Sequence, residues 1–484
     1  MTPAEARRAA TSPWIVLVLV CLAQFMVVLD ATIVNVAMPS IQVDLGMTES
    51  DLQWIINAYT LVFGGFLLLG GRAADLFGRQ RLFLIGVAIF SIASAINGLA
   101  TSPEMLIAGR ALQGLGGALV SPAALSIVIN TFEEGAERTK ALGVWSAIAA
   151  GGGAVGLLLG GVLTDLLTWE WTFFVNVPVG LAAFVLSLRL VPNSRADHLP
   201  RSVDLAGAVS VTAGLVVLVY AIVEAEDAGW GSLQTLGLGG IALALLAAFV
   251  AIELRSPAPL VRLGIFKVRS LTGANVVLLF IAAGMFASFF FVSLYVQRTL
   301  GLSPLEAGLA FMPFTAGIMT GATLAQRGIK TLGPRTVSMI GMTLAAIGLF
   351  YQSHISVDGS YVVDILPGTI VMSVGMGLTF VPITLIATTN VDGEDAGLAS
   401  GLFNTSQQIG GALGLAILST FATDKTANVL AGGADQMSAL VEGWQLAMLI
   451  AAGLMVLAVV VLGTVIRQRD VAHITGEDPV PVPA

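Results

Sequence analysis

Long apolar runs, each broken by a short cluster of glycine, proline or charge, recur along nearly the whole chain. The first, Trp14 to Ala37, reads WIVLVLVCLAQFMVVLDATIVNVA. That is long enough for a membrane-crossing helix, which needs roughly 20 apolar residues. Seven runs fall at 14–37, 52–71, 82–101, 104–130, 141–166, 171–191 and 204–223. Seven more fall at 233–254, 271–296, 305–325, 335–352, 364–388, 397–421 and 443–466. The pattern predicts an all-α polytopic membrane protein with fourteen spans. The first run exceeds the apolar core of a signal peptide, about 7–15 residues, and is expected to be a retained helix.

Basic residues test the count, because cytoplasmic loops are rich in Lys and Arg. With both termini inside, all but three of the 22 Lys and Arg lie on the inner side. The outer loops hold only Arg298 and Lys425, and Arg110 falls within a run. An odd error in the early count would scramble this asymmetry, so both termini are predicted to be cytoplasmic.

The chain also repeats itself. Leu45-Gly46-Met47-Thr48 returns as Leu300-Gly301-Leu302-Ser303, and Phe77-Gly78 returns as Leu332-Gly333 in the same register. Gly152, Gly153 and Gly156 match Gly410, Gly411 and Gly414 in nearly that register. Two parallel six-helix halves follow, at 1–191 and 271–466, with an inserted helix pair and its linkers at 192–270 and a cytoplasmic tail at 467–484. Halves related in this way place a substrate site at the midplane between them, reached by rocking.

Composition narrows the function. The chain is 56% hydrophobic and 11% charged, against about 25% charged in ordinary domains. One cysteine, Cys21, excludes an internal disulfide and a cysteine metal site. The histidines His198, His354 and His473 lie in a loop, at a span end and in the tail, and no G-x-x-x-x-G-K loop is present. Neither an enzyme nor an ATP-driven pump is expected. No cofactor beyond a proton gradient and no nucleic-acid partner are expected either. The remaining classes are transporter, channel and receptor, and the repeats favour alternating access.

Asp30 stands deep in the first run, where a charge costs on the order of 3 kcal/mol. It lies seven residues before the outer end, roughly 10 Å deep, and Arg110 lies roughly 9 Å deep in the fourth run. Both charges occupy one outer layer and are expected to pair. The plain alternative is an ion pair that merely joins two helices, but buried pairs are poor stabilisers once desolvation is counted. A cationic neighbour favours an ionised carboxylate, whereas apolar burial favours a protonated one. A change of state that alters this balance would load or release a proton, and a cationic substrate would compete for the same acid. Glu224 is a second candidate acid. Asp165, Glu253 and Asp364 are expected at the wet interface.

The loop Gly71-Arg72-Ala73-Ala74-Asp75-Leu76-Phe77-Gly78-Arg79-Gln80-Arg81 has the spacing G-R-x-x-D-x-x-G-R-x-R. Composition alone makes it a positive-inside anchor. Its ordered spacing resembles the signature loop of the major facilitator superfamily, which implies that Gly71, Asp75, Gly78, Arg79 and Arg81 form a gating loop at the cytoplasmic side. Leu29-Asp30-Ala31-Thr32-Ile33-Val34-Asn35-Val36-Ala37-Met38-Pro39 resembles the span-1 motif of drug:proton antiporters. Gly109-Arg110-Ala111-Leu112-Gln113-Gly114-Leu115-Gly116 resembles a span-4 motif linked to proton transfer. Gly152, Gly156, Gly160 and Gly161 resemble the antiporter motif of span 5, with Leu157 in place of the family's proline. Trp169-Glu170-Trp171-Thr172-Phe173-Phe174-Val175-Asn176-Val177-Pro178 resembles the opening of span 6, with Glu170 in place of arginine.

The resemblance implies a member of the fourteen-helix drug:proton antiporter branch: Asp30 and Arg110 couple protons, and hydrophobic cations are exported across the cytoplasmic membrane. A monomer in the lipid bilayer is expected. The alternative is an exporter of one metabolite, lipid, siderophore or amino acid on the same fold. By themselves the glycines of span 5 equally suit close helix packing. Candidates for a substrate cavity are Asn35, Gln113, Glu224, Phe286, Asn404, Gln407 and Gln408. Phe286 belongs to a Phe- and Met-rich stretch of spans 9 and 10, chemistry that suits varied apolar cations.

Overall fold

A computed structural model describes residues 12–132, 136–192, 204–257, 259–388, 391, 396–468 and 471. Most of the expected linker at 192–202 and of the tail at 467–484 lies outside them. Among the described residues there are helices and turns and no strand. The helices are α1 (Pro13–Leu45), α2 (Glu49–Phe77), α3 (Arg79–Gly98), α4 (Pro103–Thr131), α5 (Ala136–Leu166), α6 (Trp171–Phe174) and α7 (Asn176–Leu190). They continue with α8 (Leu205–Ala228), α9 (Leu233–Arg255), α10 (Arg269–Leu294), α11 (Pro304–Ala310), α12 (Met312–Gln352), α13 (Leu366–Thr388), α14 (Ala396–Ala431) and α15 (Gln436–Val465). Each of the fourteen apolar runs falls on helix. By length and hydropathy, 11 described helices suffice to cross a membrane, one of them the continuous stretch Pro304–Gln352 that holds two of the expected runs.

Local chemistry sets the ends. α1 runs eight residues past its expected end at 37, through Pro39, and stops at Gly46 with φ 62°. A proline removes one backbone donor, but the apolar face continues to Ile41, which is fully buried. Thr48 opens α2 with a reciprocal capping box: its hydroxyl accepts from the Asp51 N–H while the Asp51 carboxylate accepts from the Thr48 N–H. The repeat partner does the same, with the Ser303 hydroxyl accepting from the Glu306 N–H at 3.3 Å and Glu306 accepting from the Ser303 N–H at 2.9 Å. Gly78 and Gly333 turn the chain at φ 105° and 77°, a left-handed region that only glycine enters freely. The second of these interrupts α12 with non-helical backbone, so runs 10 and 11 lie on helical segments either side of a sharp turn at Gly333.

The described chain forms two compact units. The first comprises Met1–Leu218, Gly240–Leu260 and Leu302–Leu309, and the second Val219–Gly239, Val261–Gly301 and Ala310–Ala484. α8 and α9 each divide between the two units. In the first unit α2 and α3 pack on α4, and the core includes Met26, Phe63, Phe83, Phe90 and Ile127. Contact between these helices is at backbone distance: a Cβ on Gly86 would lie 2.9 Å from the Gly116 carbonyl oxygen. In the second unit α12 pairs with α13, and α10 with α14 and α15. α9 presents Leu233, Leu236, Ile241, Leu243 and Leu254 to the outside, as a lipid-facing helix must.

Candidate functional site

Asp30 lies on α1, wholly buried, and Arg110 on α4 is 1% exposed. Arg110 Nη1 donates to Asp30 Oδ2 at 2.5 Å, so the two charges expected in one layer meet directly. The other carboxylate oxygen accepts from Gln113 Nε2 at 2.6 Å and from Asn176 Nδ2 at 2.8 Å. Arg110 Nε donates to the Ile55 carbonyl on α2 at 2.9 Å, and Nη1 donates to Gln113 Oε1 at 2.8 Å. Gln113 in turn accepts from Asn97 Nδ2 at 2.8 Å and donates to Ser94 Oγ at 2.8 Å. The guanidinium sits over the Tyr59 ring, 4.3 Å from its centroid. Five helices, α1, α2, α3, α4 and α7, thus converge on one carboxylate. In a low-dielectric interior such a network is worth having only when its members are satisfied.

The spacing on α4 explains the arrangement. Arg110 and Gln113 stand three residues apart and share a face. Gly109, one residue earlier, faces Asn97, whose Oδ1 occupies the place a Cβ would take. Gly114 and Gly117 let α2 approach, with the Tyr59 carbonyl against the first and the Phe63 ring against the second. The run GRALQGLGG therefore alternates network side chains with close backbone contact.

Gly152, Gly156 and Gly160 pack α5 along the other side of α1. A Cβ on Gly152 would lie 3.1 Å from Val28 Cγ1, one on Gly156 2.7 Å from the Leu29 carbonyl, and one on Gly160 2.5 Å from the Ile33 carbonyl. Gly161 faces the Pro304 carbonyl at the start of α11. The expected close-packing role is what this geometry displays, and it brackets Asp30 on α1. In the second unit Gly410 and Gly414 bring α14 equally close to α10 at Leu279 and Ala283.

The loop between α2 and α3 is built around Gly78. Arg79 donates to Asp75 Oδ1 through Nε at 3.0 Å and Nη2 at 2.8 Å. Gly71 approaches Pro122, and Arg81 is exposed. Beside them Gln80 donates to the Ser187 carbonyl at 2.9 Å, capping α7, and in the second unit Arg335 donates to the Gly463 carbonyl at 2.6 Å in α15.

The candidate cavity residues divide between the two units, Asn35 and Gln113 in the first and the other five in the second. Gln113 belongs to the Asp30 network. Asn35 is buried and spends its amide on the Ala31 and Thr32 carbonyls of its own helix. Glu224 is half-buried on α8, Phe286 on α10 lies against Gly411, and Asn404 is exposed and bonded to the Ser400 carbonyl. Gln407 and Gln408 are half-buried on α14. Glu253 corrects an expectation: instead of facing water it is 4% exposed, close to buried Asp204 beside Gly207. Asn176, Ser94, Asn97 and Tyr59 were not singled out from the sequence. Their signal was weak but present, since each is a polar group inside an apolar run.

The second unit holds a small uncharged polar cluster. Ser288, Gln352 and Thr369 are all buried there. Gln352 Nε2 donates to Thr369 Oγ1 at 2.9 Å, and Ser288 Oγ to Gln352 Oε1 at 3.4 Å.

The sequence matches the Major Facilitator Superfamily over residues 20–415. It is 40% identical over 466 residues to the puromycin resistance protein pur8 of Streptomyces alboniger, covering 95% of this chain and 92% of that protein. It is 41% identical over 408 residues to the cephamycin export protein CmcT of Amycolatopsis lactamdurans, covering 84% of each. A bacterial homolog of the human lysosomal transporter Spinster, in an inward-facing crystal structure, shares the fold at a TM-score of 0.66 and 16% identity, covering 98% of each chain. A multi-pass helical chain with this match and these relatives is a transporter and not an enzyme: it belongs to the major facilitator superfamily.

Proposed function

We propose that this chain is a proton-coupled antiporter that exports hydrophobic, cationic drugs or other toxic small molecules across the cytoplasmic membrane. In this reading it has fourteen spans, both termini in the cytoplasm, two six-helix halves and the inserted pair, and it works as a monomer with no cofactor beyond the proton gradient. The observation that carries the reading is the fully buried carboxylate of Asp30, held by Arg110, Gln113 and Asn176. A buried ion pair is a poor way to stabilise a helix bundle, and one carboxylate in this pair suits one proton per cycle. Protonation removes the counter-charge of Arg110 and releases its grip on the α1–α4 junction. Because Asp30 is enclosed and fully bonded, proton and cargo reach it only when this network opens. The relatives named for drug resistance and export support the direction of transport. Names that each specify one compound also support the alternative of an exporter dedicated to a single metabolite.

One proton exchanged for one monovalent cation moves no net charge. Exchange in proteoliposomes should then respond to ΔpH, worth about 1.4 kcal/mol per unit. It should ignore voltage, which would otherwise supply about 2.3 kcal/mol per charge per 100 mV. Clear voltage dependence with a monovalent cation rules the stoichiometry out.

A further inference from the structure

Two turns of α2 carry amides that the Asp30 network does not use. Asn57 is fully buried and Gln53, one turn earlier on the same face, is 3% exposed. Neither polar atom of the Asn57 carboxamide, nor Oε1 of Gln53, has a hydrogen-bond partner among the described residues. Thr60, the next polar residue of that face, is different, because its hydroxyl donates to the Ile56 carbonyl. A buried amide without a partner forfeits its hydration and gains nothing in return. A leucine of similar size would pack there at no such cost. A buried polar group without a partner in the protein calls for one from outside it, such as a water, an ion or a ligand, or else for strain.

The position gives the function. Asn57 lies eight residues into α2, roughly 12 Å along the helix, in the segment that Arg110 clasps through the Ile55 carbonyl. Tyr59, two residues on and therefore roughly 200° around the helix, lies under the Arg110 guanidinium. The same short segment thus carries the proton network on one side and the unpartnered amides on the other.

We infer that Asn57, with Gln53, is a hydrogen-bonding site for transported substrates that present a donor beside an acceptor, such as an amide, a lactam or a hydroxyl next to a carbonyl. This inference rests on the drug-export reading and adds to it the polar half of substrate recognition. A neutral carboxamide offers one donor group and one acceptor and so recognises shape-fixed polar groups, while charge is handled at Asp30. It also supplies a path for linkage. Protonating Asp30 alters the hold of Arg110 on Ile55, and the segment bearing Asn57 moves with it, so proton and substrate affect each other's affinity reciprocally.

The test uses the purified full-length chain and two compounds. Puromycin carries amide, amine and hydroxyl groups, whereas tetraphenylphosphonium is a lipophilic cation with no donor or acceptor. Without ligand, Asn57→Leu should unfold at the wild-type temperature or above it, because the amide it removes makes no bond. With puromycin it should bind about 10- to 100-fold more weakly, the loss of one or two hydrogen bonds, and Gln53→Met should weaken it less. Tetraphenylphosphonium binding should be unchanged in both variants. A lower unfolding temperature for Asn57→Leu without ligand, or undiminished puromycin binding, overturns the inference. Wild-type binding of tetraphenylphosphonium but not puromycin also overturns it and leaves the export reading standing. Binding and efflux of neither compound overturns the export reading itself.

Discussion

Arg110→Met keeps most of the side-chain volume on α4 and deletes the charge. The wild-type guanidinium bonds Asp30 at 2.5 Å, the Ile55 carbonyl at 2.9 Å and Gln113 at 2.8 Å, and it lies over Tyr59. Its removal leaves a fully enclosed carboxylate with only the amides of Gln113 and Asn176 as partners. Breaking one side of a buried ion pair costs about 3–5 kcal/mol. For a cooperative unit the size of the first one this lowers the melting temperature by about 6–20 °C. Asp30→Asn alone leaves the opposite charge stranded and should cost a similar amount. The double variant Asp30→Asn/Arg110→Met strands neither charge and should melt above both single variants. Thermal unfolding of the four proteins, followed by tryptophan fluorescence, completes the cycle. A double variant whose loss equals the sum of the single losses would refute the reasoning, because the two charges would then not act as a pair.

Three further outcomes follow from the same geometry. Gly160→Val places a Cβ 2.5 Å from the Ile33 carbonyl, forces α5 off α1, and should cost about 1–3 kcal/mol with loss of efflux, read by melting temperature and a dye-efflux assay. Gly109→Ala displaces Asn97 from beside Gln113 and should destabilise by about 1–3 kcal/mol; adding Asn97→Ala, which clears the clash, should recover part of that loss in the same melting assay. Outside the spans, Asp435 caps α15, and the Ser438 hydroxyl and backbone N–H groups hold its carboxyl below the ordinary 3.8. A lowered folded-state value means that the cap's contribution is complete above 3.8 and fades as pH falls through the lower folded value. Asp435→Ala should therefore lower the melting temperature at neutral pH and lose less than wild type on acidification.

Much of the architecture was legible in the chain because the membrane simplifies the problem. Apolar length and turn residues suffice to place helices when every backbone group must bond within its own helix. The repeat was legible down to its caps, with Thr48 and Ser303 using the same box. Asp30 and Arg110 stood out because each is a charge inside an apolar run, and counting residues from the outer ends put them at one depth. Depth does not give rotation about the helix axis, however. The same count could not show that Asn176 turns toward Asp30 while Asn35 turns back on its own carbonyls. Nor could it separate Gln113, which bonds Asp30, Arg110, Ser94 and Asn97, from a residue facing an open cavity. Helix α1 ran past Pro39 because burial of its far end outweighs one missing backbone bond, a balance set by neighbours distant in sequence.

The central claim is that Asp30 carries the coupled proton, and ΔpH-driven exchange in proteoliposomes with the membrane voltage clamped to zero addresses it most directly. The account predicts that the wild-type chain accumulates a cationic dye against its gradient when a pH difference is imposed, while Asp30→Asn, inserted in equal amount, catalyses only dye-for-dye counterflow. Accumulation by Asp30→Asn at the wild-type rate would place the proton elsewhere and contradict the account.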